Sequence, residues 1–193
     1  MIKTRKDLLF YLESDRLALK IKRRNWKNII YEIFFPNSTY KFQKVLRKTE
    51  YYFNKKKNIL EFILLGFYFL RYKNLSVRYG FSIPLNVFGP GLAIVHLGTI
   101  VVNPAARVGA NCRIHVCTNI GASGGGNLAP IIGDNVYIAP GVKIYGNIKI
   151  ADNIAFAANA AVSKDCLESG MIYGGVPAKL IGPTDIKKLI KHI

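Results

Sequence analysis

Two histidines are the residues of this sequence best suited to acid–base chemistry. His96 lies in the segment AIVHLGTIVVN, and His115 lies in RIHVCTNIG, 19 residues further along the chain. An imidazole gains and loses a proton near neutral pH, so it can take a proton from a hydroxyl group. A histidine considered alone is nevertheless more often structural than catalytic. What these side chains do depends on the elements that hold them.

The three cysteines do not indicate a metal centre. Cys112, Cys117 and Cys166 lack the paired spacing of zinc ligands, and their number is odd. We predict reduced thiols in a cytoplasmic protein, with no bound metal. The N-terminus has no charged and apolar leader followed by small residues, which argues against secretion.

A six-residue period runs through the second half of the chain. The large apolar residues at this period are Ile132, Ile138, Ile144, Ile150, Phe156 and Val162. A helix would space apolar residues by three and four, and a flat strand would space them by two. We therefore predict short strands joined by tight corners, three to a coil of about 18 residues, with the coils stacked around one core.

The same phase occurs upstream at Val102, Val108, Ile114 and Ile120, and is then interrupted. Before Ile132 the segment GASGGGNLAPI contains three successive glycines, which predicts a loop that leaves the coil. Exposed loops on a stiff scaffold often shape a functional site. A phosphate-binding P-loop is excluded because no Lys-Ser/Thr pair and no helix signal follow.

The first eighty residues have a helical pattern instead. Residues 3–26 and 37–58 place apolar side chains at helical spacing, and Pro36 with a polar run separates the two segments. Either Asn37 or Ser38 could cap the second helix.

A third helix is predicted over about residues 59–72. Its apolar stretch contains Glu61 and is short for a bilayer span, so we expect a buried helix, with membrane-surface contact as the alternative. We divide the chain into an α-helical N-terminal domain (1–80), a β-coil domain (81–182) and a C-terminal helical tail (183–193).

The positive charge is concentrated in the helical part. Of the formal net charge of +17, residues 1–80 contribute +13 and residues 81–193 contribute +4. Such a field favours acidic glycans, anionic membrane surfaces or nucleic acid. No nucleic-acid reading motif accompanies the charge, so we predict no nucleic-acid partner. We predict peripheral contact with the inner face of a bacterial membrane; a solvated, solubilising surface is the alternative.

The hexapeptide period, the segment GPGLAIVHLGTIVVNP and the closing GGVPAKLIG carry a resemblance to a known family. Over about residues 80–182 the chain resembles the left-handed parallel β-helix acyltransferases, most narrowly the serine acetyltransferase branch and its relatives in bacterial polysaccharide biosynthesis. The resemblance implies a mainly β fold, a left-handed parallel β-helix preceded by a small helical domain. It also implies acetyl-CoA as co-substrate, a homotrimer, and active sites between neighbouring coils.

The resemblance implies specific roles for residues near the first coil. His96 stands at the position of the general base that deprotonates the acceptor hydroxyl, and backbone N–H groups would stabilise the resulting oxyanion. His115 is expected as a second acceptor-binding group, or else as a solvent-facing side chain. Asn103 could bind acceptor hydroxyls or simply form the corner before Pro104.

Three departures from the serine-specific pattern bear on the acceptor. Ser82 replaces an acid that assists the catalytic histidine, Val95 replaces a second acid, and Leu128-Ala129 replace an Arg-His pair that binds the carboxylate of serine. A zwitterion needs charged partners, because buried unpaired charges are costly. We therefore expect an acceptor other than serine, with Ser82 or a backbone carbonyl orienting the imidazole.

For the cofactor, the resemblance implies main-chain contacts with the pantetheine arm at small residues. The matching positions are Ala139 and Ala158, with Ser163 and Lys164 beyond them. Lys179 in GVPAK would meet the nucleotide phosphates. Corner residues and solvated lysines are the alternatives.

The sequence thus predicts an acetyl-CoA-dependent O-acetyltransferase that modifies a sugar hydroxyl of a bacterial surface polysaccharide (capsule, exopolysaccharide or O-antigen). The acceptor would be a glycan, a sugar nucleotide or a lipid-linked sugar. The alternatives are a serine O-acetyltransferase of cysteine biosynthesis and a non-catalytic β-helix binding protein.

Overall fold

The computed structural model describes residues 1–22, 37–55 and 58–193, which form helices followed by a coil of short strands. The helices are α1 (Arg5–Ala18), α2 (Ser38–Asn54), α3 (Ile59–Tyr79) and, near the C-terminus, α4 (Ile186–Leu189). The strands are β1 (Phe81–Ser82), β2 (Ala93–Ile94), β3 (Ile100–Val102), β4 (Arg107–Val108), β5 (Arg113–Ile114), β6 (Thr118–Gly121), β7 (Ile131–Ile132), β8 (Tyr137–Ile138), β9 (Lys143–Tyr145), β10 (Lys149–Ile150), β11 (Ala155–Phe156), β12 (Ala161–Val162), β13 (Met171–Gly174) and β14 (Lys179–Pro183).

The strands form three parallel faces that the chain visits in turn. Face 1 has the order β1-β3-β6-β9-β12, face 2 has β10-β7-β4, and face 3 has β14-β13-β11-β8-β5-β2. All pairs are parallel except β13 with β14, which form an antiparallel pair. Successive strands of one face are separated by one turn through the other two faces, so the predicted coil of three short strands is confirmed.

The six-residue period marks the core of this coil. The large apolar side chains at this period are at most 4% exposed. The upstream residues at the same phase are equally buried, except that Val108 is 5% exposed. The buried residues are Val102, Val108, Ile114, Ile120, Ile132, Ile138, Ile144, Ile150, Phe156 and Val162. Each short strand points one apolar side chain into the narrow interior, and the stacked coils bury these side chains in one continuous core.

Asparagines hold one corner of the coil. Asn111, Asn135 and Asn153 each adopt a left-handed backbone conformation, with φ between +56° and +60°. The side-chain amide of Asn111 donates to Asn135 at 2.9 Å, and that of Asn135 donates to Asn153 at 2.9 Å. Asparagine tolerates this conformation better than other residues with a side chain, and here it also links successive coils.

The start of α2 distinguishes between the two predicted caps. The side-chain oxygen of Asn37 accepts the N–H of Tyr40 at 2.9 Å, and Ser38 is the first residue of the helix. Asn37 is therefore the cap. Pro36, predicted to separate the helices, lies outside the described residues.

Helices α1 and α3 differ in length from their predictions. α1 ends at Ala18, although a helical pattern continues to residue 26; residues 23–26 lie outside the described residues. α3 runs on to Tyr79 beyond the predicted end near Tyr72, and stops where Gly80 adopts φ +75°. Glycine enters this conformation without the penalty of a Cβ atom, so it ends the helix.

The helical part covers the open edge of face 3. β2 is the first strand of that face, and its outer edge meets side chains of α1 and α2. Gln43 donates to the carbonyl of Leu92 at 2.6 Å and accepts the N–H of Ile94 at 3.2 Å, and Asp15 accepts the N–H of Leu92 at 2.9 Å. Side chains of the helices thereby satisfy the unpaired backbone groups of a strand that ends two residues before His96.

A buried arginine joins the same helices to the coil. Arg47 is fully buried, and its guanidinium contacts Asp15 at 2.8 Å and Glu50 at 3.1 Å. It also donates to the carbonyls of Phe88 at 2.9 Å and Gly89 at 2.7 Å. Burial alone would lower the pKa of Arg47, but the two carboxylates raise it above its ordinary value. The guanidinium therefore stays charged and fully hydrogen-bonded in the interior.

The helical part and the coil share one apolar core. Phe42, Leu46 and Leu75 of the helices pack in the same cluster as the coil interior. The division at residue 80 into separate domains, and that of the tail at residue 183, stay predictions. In the described part of the chain, no helix combines the length and apolarity needed to cross a bilayer.

Candidate active site

A row of predicted site residues follows the strands of face 3, at the edge where the chain turns into face 1. His96 follows β2, His115 follows β5, Ala139 follows β8, and Ala158 follows β11. We call this row the histidine edge. Because neighbouring parallel strands lie about 4.8 Å apart, the row extends over about 15 Å. The structure therefore brings four residues that are up to 62 positions apart onto one edge.

The two histidines are neighbours on this edge. Their ring centroids are 5.9 Å apart. His96 is exposed, whereas His115 is only 9% exposed, and the expectation of a solvent-facing His115 is wrong. The Nε2 atom of His115 is buried and has no hydrogen-bond partner among the described residues. The pair thus combines an accessible imidazole with a buried one that has a free polar atom.

The environment of His115 keeps its ring neutral. Burial lowers the pKa of His115 to about 4, and the nearby charges of Arg113 and His96 act in the same direction. Near neutral pH this ring presents one donor and one acceptor and bears no charge.

Sequence reasoning missed two residues around His115. Tyr137 lies on the next coil, with its ring centroid 5.3 Å from that of His115, and Arg113 lies beside Tyr137 in the strand register. Both positions immediately precede an inward apolar residue of the six-residue period, so the period itself could have placed them on one outer face.

A second row of predicted residues lies at the other edge of face 1, where the chain turns into face 2. Asn103 follows β3 and Ser163-Lys164 follow β12. We call this row the loop edge. The Asn103 side chain accepts the N–H of Ala105 at 2.8 Å, so in this chain it forms the corner that was the alternative prediction.

Ser82 belongs to face 1, where it pairs with Val101, and it is exposed. Among the described residues, no hydrogen bond joins Ser82 to His96. The expectation that Ser82 orients the imidazole therefore receives no support from the contacts within one chain.

The Gly-rich segment leaves the coil at the loop edge, between β6 and β7. Residues 123–128 are exposed, and Gly124 and Gly125 have φ of +59° and +71°. Added Cβ atoms there would meet nothing within 4 Å, so the glycines are needed for backbone conformation and not for space. Leu128 is 62% exposed, whereas Ala129 is buried.

The predicted cofactor residues divide between the two edges. Ala139 is buried at the histidine edge, and Ala158 is exposed one coil further on. Ser163 and Lys164 are exposed at the loop edge. Lys179 is exposed at the start of β14, where it pairs with Gly174.

Two cavities among the described residues have linings that do not include His96. One, of about 530 Å³, is lined by α3 and residues that include Ser82 and Pro104. Another, of about 420 Å³, lies where α1 and α2 meet the coil and includes Tyr11 and Arg107. His96 itself is exposed in a single chain.

The cysteines are free thiols: Cys112 and Cys166 are buried, and Cys117 is exposed in the corner that follows His115. Burial raises the pKa of Cys112 to about 12 and that of Cys166 to about 11, which makes both thiols unreactive near neutral pH. No group of three metal-ligating side chains occurs in residues 1–22, 37–55 and 58–193.

Comparison with known proteins finds a family model that matches part of the repeat. Residues 129–164 match the model of the bacterial transferase hexapeptide (six repeats). Among curated proteins, the chain is 39% identical over 102 residues to the mitochondrial serine acetyltransferase 3 of Arabidopsis thaliana, which covers 52% of this chain and 26% of that protein. It is 34% identical over 95 residues to the serine acetyltransferase of Staphylococcus xylosus, covering 48% and 44%. The matches thus span less than half the length of these relatives.

Solved structures share the fold over nearly the whole chain. The serine acetyltransferase of Brucella abortus strain S19 superposes with a TM-score of 0.72 at 22% identity, covering 94% of this chain and 72% of that one. The same enzyme in complex with coenzyme A gives a TM-score of 0.68 at 22% identity, covering 93% and 68%.

These comparisons correct the predicted acceptor. The prediction of a polysaccharide sugar hydroxyl as the acceptor is contradicted, because the curated relatives are named serine acetyltransferases. The prediction gave three local replacements more weight than a likeness of about a hundred residues. Charged partners for serine need not occupy the same sequence positions. Residues 129–164 of this chain are thus similar to the bacterial transferase hexapeptide model, and the relatives named above are serine acetyltransferases.

Proposed function

We propose that this protein is an acetyl-CoA-dependent O-acetyltransferase whose acceptor is serine, with His96 as the general base. The observation that supports it most is the histidine edge: an exposed imidazole stands in line with small residues on successive coils. The names of the relatives supply the acceptor and the acyl transfer.

The chemistry follows from the exposed imidazole. A neutral His96 ring would take the proton of the serine hydroxyl as its oxygen attacks the thioester carbonyl of acetyl-CoA. The new C–O bond gives a tetrahedral oxyanion, which backbone N–H groups can stabilise. Its collapse breaks the C–S bond, and the protonated imidazole returns the proton to the leaving thiolate. The products are O-acetylserine and coenzyme A.

Arg113 is the cation we assign to the serine carboxylate. It is close enough to His115 to lower the pKa of that ring, and it begins the strand that leads to His115. An arginine fork matches a carboxylate in geometry and charge. The free Nε2 atom of His115 would supply a further polar contact to the acceptor.

For the donor, we propose that the pantetheine arm follows the histidine edge past Ala139 and Ala158, where small side chains leave room for it. Lys179 and Lys164 would meet the phosphates, with Ser163 beside them. A solved relative of the same fold is a complex with coenzyme A, which supports this class of ligand.

We further propose a cytoplasmic homotrimer of left-handed coils. His96 is exposed in one chain, and the predicted site residues occupy two edges of face 1. A neighbouring copy that sets its loop edge against the histidine edge would give the site its second wall.

The proposal is tested by following coenzyme A thiol release from purified protein with acetyl-CoA and L-serine. We expect His96→Asn to lower kcat by about 10²–10⁴-fold, since it removes the general base. His192→Asn is the matched control: His192 contacts Asn111 in the corner before β5, at the opposite end of that strand from His115, and activity should persist.

Two results would contradict the proposal. One is the absence of serine-dependent thiol release from folded, wild-type protein. The other is unchanged turnover in His96→Asn, which would point to a non-catalytic binding protein.

A further inference from the structure

Helix α3 leaves a long apolar face uncovered. Its inward side packs on the rest of the protein through Tyr72 and Leu75, whereas large apolar side chains on the other side are between 38% and 85% exposed. We call this set the α3 apolar face; it comprises Ile59, Leu60, Phe62, Ile63, Phe67, Phe69, Leu70 and Val77.

The spacing shows that the face is continuous along the helix. Ile59, Ile63, Leu70 and Val77 follow at intervals of four and seven residues, and therefore lie on one side of the helix. Their exposed fractions are 84%, 61%, 66% and 85%. Single exposed apolar residues are ordinary, but contiguous exposed patches mark sites of interaction.

Basic side chains flank this face and acidic ones do not. Arg71, Lys73 and Arg78 are exposed in the second half of α3. Arg71 lies over the ring of Phe67 and Lys73 over that of Phe69, each at 5.5 Å from the ring centroid. All of α3 is described, and its one acidic residue is Glu61. This residue forms an ion pair with Lys55.

Charge distinguishes the occupants that such a face could have. Residues 1–80 have a net formal charge of +13, so a second copy docking through this part would bring like charges together. An anionic lipid surface attracts the same charges. A helix with aromatic and aliphatic residues on one side and lysine or arginine beside them is suited to lie in the plane of a lipid interface.

We propose that the α3 apolar face binds the surface of an anionic lipid membrane. α3 lies in the interface with its apolar side chains among the acyl chains. Arg71, Lys73 and Arg78 contact the headgroups. Binding is peripheral, and it is independent of the acyl transfer proposed above.

The test is co-sedimentation of the full chain with vesicles. One set contains phosphatidylglycerol mixed with phosphatidylcholine, and the other contains phosphatidylcholine alone. We expect binding to the anionic vesicles, weakened by salt, and far less binding to the neutral ones. Leu70→Gln should weaken binding about tenfold, because it removes a buried aliphatic group from the interface.

Leu167→Gln is the matched control. Leu70 and Leu167 are both 66% exposed, so neither change empties a core, but Leu167 lies on the β-coil. It should leave vesicle binding unchanged. A further variant, Arg71→Gln with Lys73→Gln, should lower binding to anionic vesicles and leave the weak binding to neutral ones as it is.

Three outcomes would overturn the proposal. The first is no binding to anionic vesicles, and the second is equal weakening by Leu70→Gln and Leu167→Gln. The third is a second copy as the occupant. In that case light scattering would give a lower mass for Leu70→Gln than for the wild-type protein, and neither protein would bind vesicles.

Discussion

At the scale of single residues, the neighbouring imidazoles of His96 and His115 are set apart by burial. His96 is accessible to a substrate, whereas His115 loses the solvation that its charged form would need. Identical side chains on successive coils are therefore suited to different tasks. In the proposed reaction the exposed ring would take the acceptor proton, whereas burial keeps the His115 ring neutral with a free polar atom.

The low pKa of His115 predicts a loss of stability in mild acid. Its folded pKa is about 4 and its ordinary value is 6.5. Between these values the unfolded chain binds a proton that the folded chain does not, so the free energy of unfolding falls as pH decreases from about 6.5 towards 4. Urea titrations at about pH 7.5 and about pH 5 measure this fall.

His115→Gln should reduce the difference between the two titrations, and His96→Gln is the control that should retain it. Equal differences in the two variants would refute a buried neutral His115.

Arg113 gives a second residue-scale prediction. If it binds the serine carboxylate, Arg113→Gln should raise KM for L-serine by about 10–100-fold, because a charge-assisted hydrogen bond is lost. KM for acetyl-CoA should change little. The control is Arg107→Gln: Arg107 also begins a strand, but on face 2, and its side chain contacts the carbonyls of Pro104 and Ala106. A rise in both KM values alike would speak against the assignment.

At the scale of elements, the helices act as a clamp on the first coil. Gln43 and Asp15 pair with the backbone of β2, and Arg47 binds the carbonyls of the segment before it. His96 follows that strand by two residues, so the helical part fixes the backbone from which the imidazole projects.

Gln43→Ala should therefore destabilise the protein. It leaves the carbonyl of Leu92 and the N–H of Ile94 buried without partners, which costs about 2–4 kcal/mol in the free energy of unfolding. Asn74→Ala, which removes an exposed amide from α3, should cost less than about 0.5 kcal/mol. Urea denaturation compares the two, and equal costs would show that the clamp contributes nothing.

At the scale of the whole molecule, the proposed site would be completed by assembly. One chain exposes His96 and, next to it, Leu97, whose side chain is 47% exposed. A trimer that buries this edge would supply both the missing wall of the site and cover for the apolar side chain.

Light scattering should give a mass three times the 21.6 kDa of one chain. Leu97→Glu would place a carboxylate in the interface and should dissociate the trimer. Leu167→Glu, the same change at another exposed leucine, should not. A fully active monomer would refute the assembly.

The sequence by itself determined the repeating part of this protein. With a six-residue period, the backbone must turn after each short strand to bring the next apolar side chain back to the interior. The strands, their corners and the core therefore followed from spacing. It also placed His96 and His115 one coil apart. These are local, periodic properties, and periodicity translates directly into position.

Only the tertiary structure decided what lies between distant segments. Gln43 reaches Leu92 across 49 positions, and the burial that neutralises His115 comes from neighbouring coils. No spacing rule predicts such contacts, because they arise where a region with helical periodicity packs against a coil with a six-residue period. The acceptor was mispredicted from short motifs, and the names of the curated relatives contradict it.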